Sequence, residues 1–143
     1  MLDHVELFVA DPERSVAFFR AALLPLGYAV RVQGESNGLG TNPSALDFWV
    51  RKGGPSQPLP HVAFQCGSRA QVDAGHAAAL AAGGRDNGAP KLLPHIHPHY
   101  YAAFVNDPDG HNIEFVCHAT VGFHASGASL TAIEQPGADG TPE

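Results

Sequence analysis

The chain nearly repeats itself, and this limits what it can fold into more than any other feature. Leu2-Asp3-His4-Val5 returns as Leu59-Pro60-His61-Val62 at an offset of 57, and the match continues without a gap. Val5, Leu7 and Val9 face Val62, Phe64 and Cys66; Asp11 faces Ser68; Ala21-Ala22-Leu23 faces Ala78-Ala79-Leu80; Gly27 faces Gly84. Two copies of one unit in 143 residues fit one domain of two modules. Each copy carries a histidine, the commonest metal-ligating side chain, at the same place.

Local patterns give each copy the same order of elements. Residues 2–9 alternate as a strand, with Val5, Leu7 and Val9 on one face and His4, Glu6 and Phe8 on the other. Asp11-Pro12-Glu13 then opens a helix: Asp caps it, Pro suits its first position, and Glu suits its positive end. Pro25 and Gly27 end it. Tyr28 to Gln33 reads as a strand, Gly34 to Thr41 as a hairpin turn with a short strand or a loop, and Ser44 to Arg51 as a strand. Lys52 to Pro58 is a Gly- and Pro-bearing linker. The second copy opens with the strand of His61, Ala63 and Gln65 on one face and Val62, Phe64 and Cys66 on the other. Ser68-Arg69-Ala70-Gln71 has capping-box form and starts a helix that Gly83-Gly84 stops. Residues 85–98 read as one irregular strand, and strands at Tyr100–Asn106 and Asn112–Cys117 flank the turn Asp107-Pro108-Asp109-Gly110. The expected fold is α+β, two βαβββ modules at about 1–52 and 59–118. The tail 119–143 is polar and weakly patterned, and disorder is expected from about residue 126.

The repeat reaches its last strand at a new offset. Ile113-Glu114-Phe115 resembles Leu46-Asp47-Phe48 at an offset of 67, so the second half holds ten extra residues. Within them lies His95-Ile96-His97-Pro98-His99, in a chain whose nine histidines outnumber its eight lysines and arginines. Parity separates two faces. The strong hydrophobes of the first and last strands of each half should pack under the helices. His4, Asp47, His61 and Glu114 fall on the opposite face, so two imidazoles and two carboxylates are expected in one concave space. Such donors suit Zn, Ni, Mn or Fe, and two His with one carboxylate suit non-haem iron.

These residues carry a family resemblance. The His4 strand, Asp11-Pro12-Glu13-Arg14-Ser15, His61-Val62-Ala63-Phe64, and Phe104-Val105-Asn106-Asp107-Pro108-Asp109-Gly110-His111-Asn112-Ile113-Glu114-Phe115 resemble the vicinal oxygen chelate superfamily. This superfamily groups glyoxalase I, bleomycin-resistance proteins and extradiol dioxygenases. The resemblance covers roughly residues 1–118. It implies paired βαβββ modules closing into a cup-shaped half-barrel, and a divalent metal held by His4, Asp47, His61 and Glu114. Asp47 stands where glyoxalase I usually carries Glu. The resemblance also implies a homodimer.

Further candidates follow from position. In an extended segment His95, His97 and His99 share a face next to Tyr100 and Tyr101. His97 is a candidate general acid or base near pH 7, and His95, Tyr100 and Tyr101 are candidates for substrate contact. Trp49 shares the face of Asp47 and can form an apolar wall, and Arg51 with Lys52 supplies the nearby positive charge. His76 reads as structural; His111, His118 and His124 read as turn and tail residues. Glu114, or Asp47, is the candidate proton shuttle. The leading expectation is a metal-dependent lyase or isomerase that abstracts a proton next to a carbonyl of a small oxygen-chelating substrate. The alternatives are a ligand-binding resistance protein and an Fe(II) extradiol-type dioxygenase.

The bulk numbers exclude other classes. A net charge of −6 disfavours nucleic acid, and no run approaches 18 apolar residues, so no membrane-spanning helix is expected. No secretory signal is visible at the start, and Cys66 and Cys117 lie in apolar runs without CxxC spacing. Two buried free thiols in the cytoplasm are expected.

Overall fold

Strand parity and two capped helices account for most of the architecture. The computed structural model describes residues 1–119, so the expected disorder beyond residue 126 lies outside the described residues. The first half holds β1 (Val5–Val9), α1 (Pro12–Ala22), a 3-10 turn (Leu24–Leu26), β2 (Ala29–Val32), β3 (Ser36–Gly40) and β4 (Phe48–Lys52). The second holds β5 (His61–Gln65), α2 (Arg69–Ala81), β6 (Arg85–Leu92), β7 (Tyr101–Asn106) and β8 (Asn112–Cys117). The Asp11 carboxylate accepts from Arg14 N at 3.2 Å, and the Ser68 hydroxyl accepts from Gln71 N at 3.2 Å. The Gln71 side chain reaches back one residue beyond a capping box, to Gly67 N at 2.8 Å.

The fold is α+β, two βαβββ modules. Each makes an open four-stranded mixed sheet, in the orders β1-β4-β3-β2 and β5-β8-β7-β6. Neither sheet closes into a barrel, as a cup requires. In each, the first and last strands are parallel neighbours, which places the start of one beside the start of the other. The hydrophobic faces of both sheets meet in one core. Phe19 packs on Phe48 with ring centres 4.8 Å apart, Phe48 on Phe64 at 5.2 Å, and Phe64 on Tyr28 at 5.7 Å. Helix α1 packs against α2, and the buried cluster runs through both modules. Among the described residues, no helix is long and apolar enough to cross a membrane.

Two local departures have physical reasons. β4 begins at Phe48 rather than Ser44, because pairing with β1 starts at Val5 opposite Phe48 and Val5 N donates to Asp47 O at 2.9 Å. Asp47 therefore sits at the mouth of the sheet instead of within it. The glycine-rich segment is a strand, β3, and not a loop. A side chain at Gly38 would meet Leu46 at 2.7 Å and the Trp49 ring at 2.9 Å, so the glycine leaves room for both.

Gly75 makes the same concession inside α2. Its absent Cβ would lie 2.6 Å from Phe115 Cδ1, and Phe115 is fully buried in β8. Gly75→Ala is therefore expected to destabilise by about 1–3 kcal/mol through overpacking, despite alanine's better helix propensity. A urea midpoint at or above that of the parent chain would refute this.

Cys66 and Cys117 are buried and free. Burial pushes the Cys66 thiol up to about 12, and Cys117 beside it adds to the shift, so it is a packing group and not a nucleophile.

Candidate metal and substrate site

The second module assembles a three-residue chain on the face away from its helix. β5 and β8 run parallel with Ala63 opposite Glu114, which brings His61 across to that carboxylate. His61 Nδ1 lies 2.8 Å from the Asn112 carbonyl, and Nε2 lies 2.8 Å from Glu114 Oε2. A carbonyl only accepts, so Nδ1 carries the hydrogen and Nε2 is aimed at Glu114. One further proton must then be shared between Nε2 and the carboxylate. A cation can take that proton's place, because imidazole lone pair and carboxylate already face each other and the backbone holds the ring's orientation. Tyr100 closes the chain by donating to Glu114 Oε1 at 2.5 Å. Burial, then the hydrogen bond and charge of Glu114, push the Tyr100 hydroxyl up to about 12, so it remains a donor at neutral pH. Phe104 stacks beside His61 at 6.4 Å. Glu114 is only 3% exposed, whereas His61 is open to solvent.

The first module holds a looser counterpart. His4 and Asp47 stand at the adjacent starts of β1 and β4. His4 Nδ1 is 2.5 Å from Asp3 Oδ1, and Asp47 Oδ2 accepts from the Tyr28 hydroxyl at 3.0 Å. Burial and then Asp47 push the Tyr28 hydroxyl well above the usual tyrosine range. Each carboxylate thus has its own tyrosine donor, reached by different routes: Tyr28 precedes β2, and Tyr100 precedes β7. Tyr28 carried no functional signal in the sequence, since its partner is set by tertiary packing. An open cavity of about 400 Å³ adjoins Asp47 and Tyr28 and is lined on its other side by Phe64, Gln65 and Gln71 of the second module.

The four expected ligands do not converge within one chain. Among the described residues, the only group of three or more His, Cys, Asp or Glu whose ligand atoms all lie within 4.8 Å of one another is Asp107, Asp109 and His111. His61 and Glu114 meet on one sheet; His4 and Asp47 lie on the other. Among the described residues, these four side chains therefore do not form one ligand cluster within a single chain.

The remaining candidates divide. Trp49 is half-buried beside Gly38, its indole N–H donating to Leu46 O at 3.3 Å. Arg51 lies 3.9 Å from Glu6, which also accepts from Ser36, so its charge is already faced by an acid. Tyr101 turns the other way from Tyr100: it donates to Asp73 of α2 at 2.7 Å and lies under the Arg69 guanidinium. Adjacent strand residues take opposite faces, so the two tyrosines cannot share a pocket. His95, His97 and His99 lie exposed in a turn between β6 and β7, not on a strand face. His76 ties α2 to β6 through Asp86 at 3.0 Å.

His111 is fully buried although its sequence position suggested only a turn. Asp107 accepts from the backbone N–H groups of Asp109 and His111 and faces His111 Nδ1 at 2.8 Å. Asp109 accepts from Ala10 N at 3.3 Å and lies 3.8 Å from Arg14. These oxygens are already partnered, and the group pins the Asp107–Gly110 turn to the end of β1 and the start of α1.

Comparisons with known proteins agree with this architecture. Residues 1–115 match the family model of the Glyoxalase/Bleomycin resistance protein/Dioxygenase superfamily. A glyoxalase/bleomycin resistance protein from Albidiferax ferrireducens T118 is similar in structure, with a TM-score of 0.64 and 29% identity over 80% of this chain and 95% of that one. A glyoxalase/bleomycin resistance protein/dioxygenase family enzyme from Burkholderia phytofirmans PsJN gives a TM-score of 0.65 at 19% identity, covering 82% and 98%. The E144Q mutant of glyoxalase I from Zea mays gives 0.62 at 22% identity, covering 80% of this chain and 46% of that one. No curated protein matches the chain in sequence.

Proposed function

Because the chain belongs to the glyoxalase/bleomycin resistance protein/dioxygenase superfamily, we propose that it is a metal-dependent lyase or isomerase acting on a small substrate that chelates through adjacent oxygens. The observation that carries this reading is the His61–Glu114–Tyr100 chain: an oriented imidazole and a buried carboxylate facing each other at 2.8 Å, with a tyrosine hydroxyl on the carboxylate's other oxygen. Superfamily members typically hold a divalent ion, and His61 and Glu114 have the right donor atoms for one, with His4 and Asp47 as the complementary pair. Zn, Ni, Mn and Fe all accept such ligands. When bound, the ion supplies Lewis-acid stabilisation of an oxyanion next to the carbon that loses its proton.

The chain's own residues do the rest. Glu114 is the base: it sits beside a neutral-pH donor, Tyr100, which holds the carboxylate in place and can follow its change of charge. His61 keeps its ring fixed through the Asn112 carbonyl. Phe104 supplies an apolar wall beside His61, and Trp49 of β4 would supply one from the first module. His97 and His95, on the rim turn, and Arg51 on the first sheet are left as outer contacts. Turnover of a 2-oxoaldehyde-derived hemithioacetal or a related hydroxy-carbonyl compound by metal-loaded protein is the direct test. Tight ligand retention without turnover would identify a binding protein instead, and Fe²⁺-dependent oxygen uptake with a catechol would identify a dioxygenase.

The separation of the two ligand pairs makes a homodimer part of this proposal: module one of one chain would face module two of its partner. His4→Ala and Glu114→Gln chains, each inactive, would then restore activity when mixed. Random exchange makes half the dimers mixed, with one intact site each, so about a quarter of parental activity is expected from two-fold symmetry. No recovery after confirmed subunit exchange would sink the shared-site reading.

A further inference from the structure

We propose that His97, His99 and His118 form a second metal-ion site, made of imidazoles alone, at the rim of the second module. The three residues come from two places. His97 and His99 lie in the turn from β6 to β7; His118 directly follows β8. β7 and β8 are antiparallel with Tyr101 opposite Cys117, so the register carries residue 118 back beside residue 100. The Tyr100 and His118 rings meet edge to face at 5.1 Å.

The backbone of the turn is fixed by its own hydrogen bonds. Leu93 N donates to Tyr100 O at 2.8 Å, Ile96 N to Leu93 O at 3.0 Å, and Tyr100 N to His97 O at 3.0 Å. Pro94 and Pro98 stiffen it further by fixing φ. The His97 ring then lies 5.9 Å from His99 and 5.8 Å from His118, centre to centre. Two imidazoles on one tetrahedral ion, with metal–nitrogen bonds of about 2.0–2.1 Å, place their ring centres roughly 5–5.5 Å apart. Both pairs that include His97 are thus within a few tenths of an ångström of that spacing, with His97 as the central ring. The cluster's nitrogens do not yet converge within 4.8 Å, since no such group includes them. Convergence needs only rotation of exposed rings. Such rotation would disturb the 3.3 Å hydrogen bond from His99 N to His97 Nδ1, which is long and solvent-exposed, and the edge contact of His118 with Tyr100.

The donor set decides the ligand. Neutral imidazoles without a carboxylate suit borderline divalent ions such as Zn²⁺, Ni²⁺ or Cu²⁺ and disfavour Mg²⁺ and Ca²⁺. The site is chemically distinct from the mixed imidazole–carboxylate pair of His61 and Glu114. Tyr100 lies between the two, touching His118 with its ring and Glu114 with its hydroxyl.

Equilibrium dialysis with Zn²⁺ on the full chain tests this in a Glu114→Gln background, which silences the first site. That chain is expected to keep one Zn²⁺, and His118→Ala or His97→Ala/His99→Ala to weaken it by about tenfold or more. His95→Ala serves as the control, since His95 lies in the same turn but outside the cluster; it should leave zinc affinity unchanged. Zinc uptake indifferent to His97, His99 and His118, or lowered as much by His95→Ala, overturns the proposal. One Zn²⁺ in both the parent and Glu114→Gln chains would instead count against the first site and leave this one standing, whereas no zinc in the Glu114→Gln chain overturns it.

Discussion

Glu114→Gln is expected to lower divalent-metal affinity at least about 100-fold, more than the 10–100-fold typical of losing a residue behind the ligands, and to abolish turnover. The amide can preserve the fold. Its oxygen can still accept from Tyr100 and its NH₂ can donate to His61 Nε2, so no buried polar group is orphaned. What disappears is the negative charge. Glu114→Ala differs in one respect: it would also strip the half-buried Tyr100 hydroxyl of its acceptor, and some stability should fall with it. Competition against a chelator, in a chain already carrying His97→Ala/His99→Ala, isolates the effect from the rim imidazoles. Unchanged affinity in Glu114→Gln would remove the carboxylate from the metal site.

Phe48→Ala is expected to cost about 3–5 kcal/mol, the range for emptying a large aromatic site in a closed core. Phe48 is the middle of the chain Phe19–Phe48–Phe64 and so the joint between the modules. Against a total stability of ~5–15 kcal/mol such a loss is severe. Because the joint is shared, both modules should unfold in one transition, read alike by tryptophan fluorescence from module one and circular dichroism from the whole. Phe8→Ala is the contrasting case. Phe8 is 38% exposed on the face away from the core, and its removal should cost far less. Separate transitions, or equal costs at the two positions, would contradict a single joined core.

Much of the fold was legible because burial in a sheet follows a period of two. Leu7, Val9, Phe48, Val50, Phe64, Ile113 and Phe115 all sit in the core that parity assigned them. Parity also brings His61 to the face of Glu114, and the parallel register does the rest. Other parts were written in pairings that no local pattern carries. Tyr28 meets Asp47 only after β2, β3 and β4 have stacked. Tyr100 and Tyr101 are neighbours in sequence, but only the register of β7 decides which one meets Glu114. His111 looked like a turn residue because the Asp-Pro-Asp-Gly signal describes backbone, and it says nothing of the tertiary packing that buries the ring.

The repeat by itself determined the two modules, their order of elements, and a histidine and an acid on the outer face of each. These follow from local periodicity and caps, which act over a few residues. The tertiary structure alone decided which of those groups touch. A hydrophobic sheet face must be covered by another element, and here the two faces share one core with both helices. That packing leaves His4 and Asp47 on one sheet and His61 and Glu114 on the other, gives each acid its own tyrosine, and places the histidine-bearing turn of the second module beside the end of β8.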